Sequence, residues 1–154
     1  MKDKKAKQVP TQLDPAETVR EMAKGIIAKH HSHLANCNIA YLYTNKPMAR
    51  RGKIAIATAE KCSPKAKALT LYNHPDDEPF DFVVTVSYGA WNRLTDKQKL
   101  AVLDHELTHC FVEENEEGEV LHKILGHDFE DFHAILSRHG LYLEDLQAIK
   151  NALK

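Results

Sequence analysis

The chain is predicted to be an α+β protein, with helices packed on a small mixed sheet of three to four strands. Three observations lead there. Apolar residues recur at helical spacing over residues 15–30, 96–111 and the C-terminal fifty residues. Between the first two of these runs, residues 39–43, 54–59 and 82–88 alternate one by one, the period of a half-buried strand. With 154 residues and 43% hydrophobic content, the chain has the size and the core of one domain. The organisation expected is a flexible basic tail over 1–12 and a single domain over 13–154.

In order along the chain, Asp14-Pro15-Ala16-Glu17 reads as a helix start, with Asp14 as N-cap, Pro15 at N1 and Glu17 at N3. That helix runs to about His30, with Val19, Met22, Ala23, Ile26 and Ile27 on one side. His30, His31 and His33 cluster at its end, where cationic and polar side chains suit the helix dipole. Ile39, Tyr41 and Tyr43 mark a first strand, and Ile54–Ala59 a second whose alanine face lets a helix pack closely. A short strand is expected at Leu69–Tyr72, a loop at Asn73–Asp77, and a clear strand over 82–88. A last helix is expected from Leu141 to Leu153.

The chemistry lies in the helix predicted from about Asp96 to Phe111. Thr95 and Gln98 make a capping box at its start. Inside it stands His105-Glu106-Leu107-Thr108-His109, an H-E-x-x-H run. Residues at i and i+4 share a helix face, so the two imidazoles can hold one Zn²⁺, with the Glu106 carboxylate beside it to take a proton from water. In a chain with 10 histidines the motif alone is weak evidence, so its setting must support it. At about 100° per residue, Leu100, Leu103, Leu107, Cys110 and Phe111 fall on one core-facing arc, and the histidines fall on another. A catalytic zinc needs a third protein ligand. The acidic run 113–119 around Gly118 reads as a solvated turn. A helix predicted from His127 to about Ser137 carries its apolar stripe on Phe129, Phe132, Ile135 and Leu136, and places His127, Glu130 and Asp131 on another face. From spacing, His127 and Glu130 both qualify as the third ligand.

Asp104-His105-Glu106-Leu107-Thr108-His109-Cys110, followed by Gly126-His127-Asp128-Phe129-Glu130-Asp131-Phe132, resembles the phage metallopeptidase family (named in full Putative phage metallopeptidase). That family belongs with the small zincins, minimal metalloproteases similar to the SprT-like and WLM proteases. Gly52–Ala57, Asp81–Ser87, Trp91 and Leu94-Thr95 resemble the family's early strand, the strand before the active helix, and the lead-in to that helix. The resemblance covers roughly residues 15–140. It implies a zincin-like fold, a site of His105, His109 and His127 holding zinc, and Glu106 as general base in peptide hydrolysis. The aromatics follow His127 by two and five positions, which departs from the H-x-x-x-[FW] spacing of the SprT pattern and fits the phage one. By the same resemblance, strand 82–88 is expected to pair with an extended protein or peptide substrate.

Composition bounds the partners. No stretch reaches the roughly 18 apolar residues of a membrane helix. The first residues, MKDKKAKQVPTQ, lack the apolar core of a secretory signal. Cys37, Cys62 and Cys110 are odd in number and lack ligand spacing, which argues for reduced thiols in a cytoplasm, the host's if the gene is a phage's. Residues 1–67 hold 14 Lys and Arg against 5 Asp and Glu, whereas 68–154 hold 7 against 17. The asymmetry is read as attraction between the two halves within the fold. The alternative is a zincin-like accessory protein whose basic half docks on nucleic acid around a mainly structural zinc, or one that binds a partner without cleaving it. Oligomeric state is not legible.

Overall fold

The computed structural model describes residues 10–50, 52–130 and 132–154, and most of the basic tail therefore lies outside the described residues. The architecture is α+β, as predicted, with six α-helices and three small sheets among the described residues. The main sheet takes β1 (Leu13–Pro15), β2 (Ile39–Thr44), β5 (Ala57–Lys61) and β6 (Phe82–Ser87), in the order β1-β2-β6-β5. Only β2 and β6 run parallel; the other pairs are antiparallel. Two hairpins accompany it: β3 (Met48–Arg50) with β4 (Lys53–Ala55), and β7 (Cys110–Glu114) with β8 (Val120–Ile124).

Register explains the core. Ile39 lies opposite Phe82, Tyr41 opposite Val84, and Val84 and Val86 opposite Ala59 and Ala57. Side chains alternate between faces, so these residues share one face of the sheet. That face is buried against Val19, Ala23 and Ile26 of α1 (Glu17–His30) and Leu103 and Leu107 of α4 (Asp96–His109). Trp91, closing the short helix α3 (Tyr88–Trp91), completes the cluster. The buried alanines keep β5 thin, and α4 lies close against it, as the small-residue face predicts.

Several elements differ from expectation, each for an identifiable reason. Asp14 and Pro15 do not cap α1. They pair with Tyr43 and Leu42 as strand β1, and α1 starts after Ala16 with no side-chain cap. Residues 69–72 are not a strand but the end of α2 (Pro64–Asn73). Ser63 accepts the Ala66 N–H at 3.1 Å with Pro64 in the first turn, a start signal that outweighs the β-like Leu-Thr-Leu-Tyr alternation. The segment 54–59 is broken between β4 and β5. Leu100 is 46% exposed and lies off the core arc, and α4 ends at His109 because Cys110 turns extended and begins β7. The acidic turn is the tip of the β7–β8 hairpin. There the Asn115 side-chain oxygen accepts the N–H groups of Glu117 and Glu119, and Gly118 takes φ +79°, a conformation glycine adopts without strain. The helix expected from His127 starts only at His133 as α5 (His133–His139), and α6 (Glu144–Ala152) follows. No helix among the described residues is long and apolar enough to cross a membrane.

Candidate metal centre

Helix α4 is fixed at both ends. Thr95 Oγ1 accepts the Gln98 N–H at 3.2 Å while Gln98 Oε1 accepts the Thr95 N–H at 2.9 Å, the predicted capping box. Near the other end, the His31 ring lies 2.6 Å from the Asp104 carboxylate, tying the residue after α1 to the turn that carries His105. His31 is buried, so of the histidines at the end of α1 it serves as a brace between helices. With Leu103 and Leu107 held inward, the helix turns His105, Glu106 and His109 toward an open cleft of about 460 Å³. The segment Ile54–Thr58 forms one wall of that cleft, and Ala101 and Val102 line it from α4.

His105 Nε2 and His109 Nε2 lie 3.3 Å apart across one helical turn. His127 Nε2 lies 3.0 Å from His105 Nε2. Tetrahedral zinc–imidazole arms of about 2.0–2.1 Å put neighbouring nitrogens about 3.3 Å apart, so the three rings fit around a single ion. His109 Nδ1 is 2.6 Å from the Leu125 carbonyl oxygen. A carbonyl only accepts, so Nδ1 carries the proton and Nε2 presents its lone pair, the tautomer that a metal requires. Burial, and secondly repulsion from the His109 ring when that ring is protonated, hold the His105 imidazole below its ordinary value, which favours the neutral, ligating form.

His127 reaches this position from a loop rather than from the first turn of a helix. The chain leaves β8 at Ile124; the Leu125 N–H donates to the His109 carbonyl at 2.8 Å and the Leu125 carbonyl receives the His109 ring. These two bonds hold the backbone against the end of α4 and carry His127 over His105. Glu130, the other sequence candidate, is not part of the histidine group, and Asp131 lies outside the described residues. The carboxylates of 113–119 are likewise outside it. Glu106 is 8% exposed and lines the cleft beside the two helix histidines.

The expected pairing of substrate with strand 82–88 does not survive. β6 is internal, with β2 on one side and β5 on the other, so its backbone hydrogen-bonding groups are already engaged. The strand at the cleft is the outer one, β5. The resemblance pointed to the strand before the active helix, and only the pairing of that strand with both neighbours shows that it is enclosed. A second cluster escaped the sequence reading altogether. Cys37, Asp81 and His122 bring their donor atoms within 4.8 Å of one another. They stand more than forty residues apart, so no spacing pattern announces them.

The family model described as Putative phage metallopeptidase matches residues 11–154. No curated protein and no solved structure matches the chain.

Proposed function

The chain belongs to the Putative phage metallopeptidase family, whose activity implies a metal ion, and on that premise we propose that it is a zinc-dependent peptidase with Glu106 as general base. The observation that carries this reading is the convergence of three imidazole nitrogens, 3.0 and 3.3 Å apart, beside a buried glutamate in an open cleft. His105, His109 and His127 would hold the ion. Three protein donors leave a fourth position for water, as a catalytic site needs. When bound, zinc supplies Lewis acidity, bringing the pKa of water to about 7 and polarising a carbonyl.

The protein's own side chains do the rest. Glu106 sits one residue from His105 and takes the proton of the attacking water. It then returns that proton to the departing amine, so one carboxylate serves as base and then as acid. Its burial keeps the carboxylate in place and limits competing water. The His109–Leu125 bond keeps one ring from turning. The wall Ile54–Thr58 is mostly apolar and runs into the sheet's outer strand, a setting suited to an extended peptide lying alongside it.

The test pairs metal content with hydrolysis. Zinc content by mass spectrometry is expected to fall by one equivalent per chain in His105→Ala/His109→Ala. Glu106→Gln should retain the zinc and lose roughly 10²–10⁴-fold in cleavage of a peptide mixture. Undiminished turnover in that variant would refute the role given to Glu106.

A further inference from the structure

At the end of the main sheet where Lys61 pairs with Phe82, three elements meet around one carboxylate. Asp81 lies just before β6, with its backbone N–H donating to the Asn38 carbonyl at 2.7 Å and its carbonyl accepting the Cys62 N–H at 2.8 Å. Its Oδ2 accepts the Asn38 N–H at 2.9 Å, which fixes the carboxylate plane. The remaining oxygen, Oδ1, is 3.6 Å from His122 Nε2 on β8 and 3.6 Å from Lys67 Nζ on α2. The Cys37 thiol, between the 3-10 turn Ser32–Leu34 and β2, completes the group. His122 packs edge-on against Phe82, with ring centroids 5.4 Å apart. All three donors are half-buried.

What distinguishes this group is its donor set, a thiol, an imidazole and a carboxylate brought together without a closed hydrogen bond between the last two. His31 and Asp104 close to 2.6 Å, a hydrogen bond. His122 and Asp81 stop at 3.6 Å, beyond hydrogen-bond reach. A carboxylate oxygen and an imidazole nitrogen on one tetrahedral ion, on arms of about 2.0–2.2 Å, are about 3.3–3.6 Å apart. Sulfur, imidazole nitrogen and carboxylate oxygen together form a donor set for a borderline-soft divalent ion. We propose that Cys37 Sγ, Asp81 Oδ1 and His122 Nε2 form a second cation site, distinct from the histidine centre, that takes a zinc-like thiophilic ion.

The ion takes the place of Lys67 as the positive charge facing Oδ1, and the lysine chain swings to solvent. Burial, and secondly the Asp81 charge, push the Cys37 thiol up, so binding releases the thiol proton. The site's effect is mechanical: it fastens β8 to the start of β6. β8 leads through Leu125 to His127, so the clamp steadies the strand that delivers a donor to the first centre.

Cobalt(II) distinguishes the two sites, because the histidine centre contains no sulfur. In His105→Ala/His109→Ala, one equivalent of Co²⁺ should still bind with a near-ultraviolet thiolate-to-metal band. Cys37→Ser added to that variant should abolish the band while the circular dichroism stays unchanged. In the unaltered chain, Zn²⁺ should slow maleimide labelling of Cys37 at least tenfold. No thiolate band, a band that survives Cys37→Ser, or labelling indifferent to Zn²⁺ would each overturn the proposal. Failure of the histidine centre would leave all three readouts intact.

Discussion

Replacing Leu107 and Leu100 by alanine, one at a time, tests the rotation of α4 about its axis, on which the whole site depends. A helical wheel assigns both leucines to the core arc, but the structure separates them: Leu107 is 0% exposed and Leu100 46% exposed. Leucine and alanine have similar helix propensity, so the difference between the variants reports burial. Truncating a fully buried leucine costs about 2–5 kcal/mol, the lost transfer energy plus the cavity left behind. With 3 kcal/mol as a middle value, and about 2–4 °C per kcal/mol for a chain of this length, Leu107→Ala should lower the apo-protein Tm by about 6–12 °C. At Leu100 about half the side chain already meets water and little cavity forms. The cost there is about 1 kcal/mol, a drop of about 2–4 °C. Differential scanning calorimetry in the presence of a chelator measures both. Equal drops, or a larger one at Leu100, would mean that α4 is turned from the orientation described, and that His105 and His109 do not face the cleft.

Three further outcomes are expected. Zinc at a hundredfold excess over its Kd should raise the stability of the unaltered chain by about 2.7 kcal/mol, and His109→Ala should lose most of the increment assigned to the histidine centre, read as the zinc-dependent shift in Tm. Acid should weaken the apo fold through His105: its folded pKa is lowered, so the unfolded chain binds the proton first, and stability falls as pH drops from about 6.5 toward the lowered value; urea titrations at several pH values, with His105→Gln as the variant of smaller slope, measure this. Thr95→Ala removes one half of the capping box and should cost about 1 kcal/mol by chemical denaturation, with zinc content unchanged.

What the sequence made legible was local. The start of α4 could be read because Thr95 and Gln98 are three residues apart and satisfy each other within one turn. His105 and His109 could be grouped because helical geometry alone puts them on one face. His127 was found as a residue but misassigned to a helix, since what fixes it is a pair of hydrogen bonds between Leu125 and His109, sixteen positions back. Asp14 and Pro15 carry a plausible cap sequence, yet pairing with β2 claims them first, an instance of tertiary context overriding a local signal. Strand order could not be read at all: β5 and β6 alternate alike, and only the pairing shows that β6 is enclosed. The Cys37, Asp81 and His122 cluster is the extreme case, because its proximity is entirely a product of the fold.

The β7–β8 hairpin has a consequence for how freely this part of the chain can change length. Seventeen residues separate His109 from His127, a tether whose closure would cost considerable entropy if it were slack. The ladder from Cys110 opposite Ile124 to Glu114 opposite Val120 takes up that slack, and returns the backbone to the foot of α4 whatever the tip does. Extra residues inserted beside Gly118 should therefore only lengthen the tip, in solvent. A single residue inserted between Ile124 and Leu125 would shift the Leu125 carbonyl away from His109 and send the third imidazole to the wrong side. Tolerance and intolerance to insertion thus lie within ten residues of each other, separated by one short ladder.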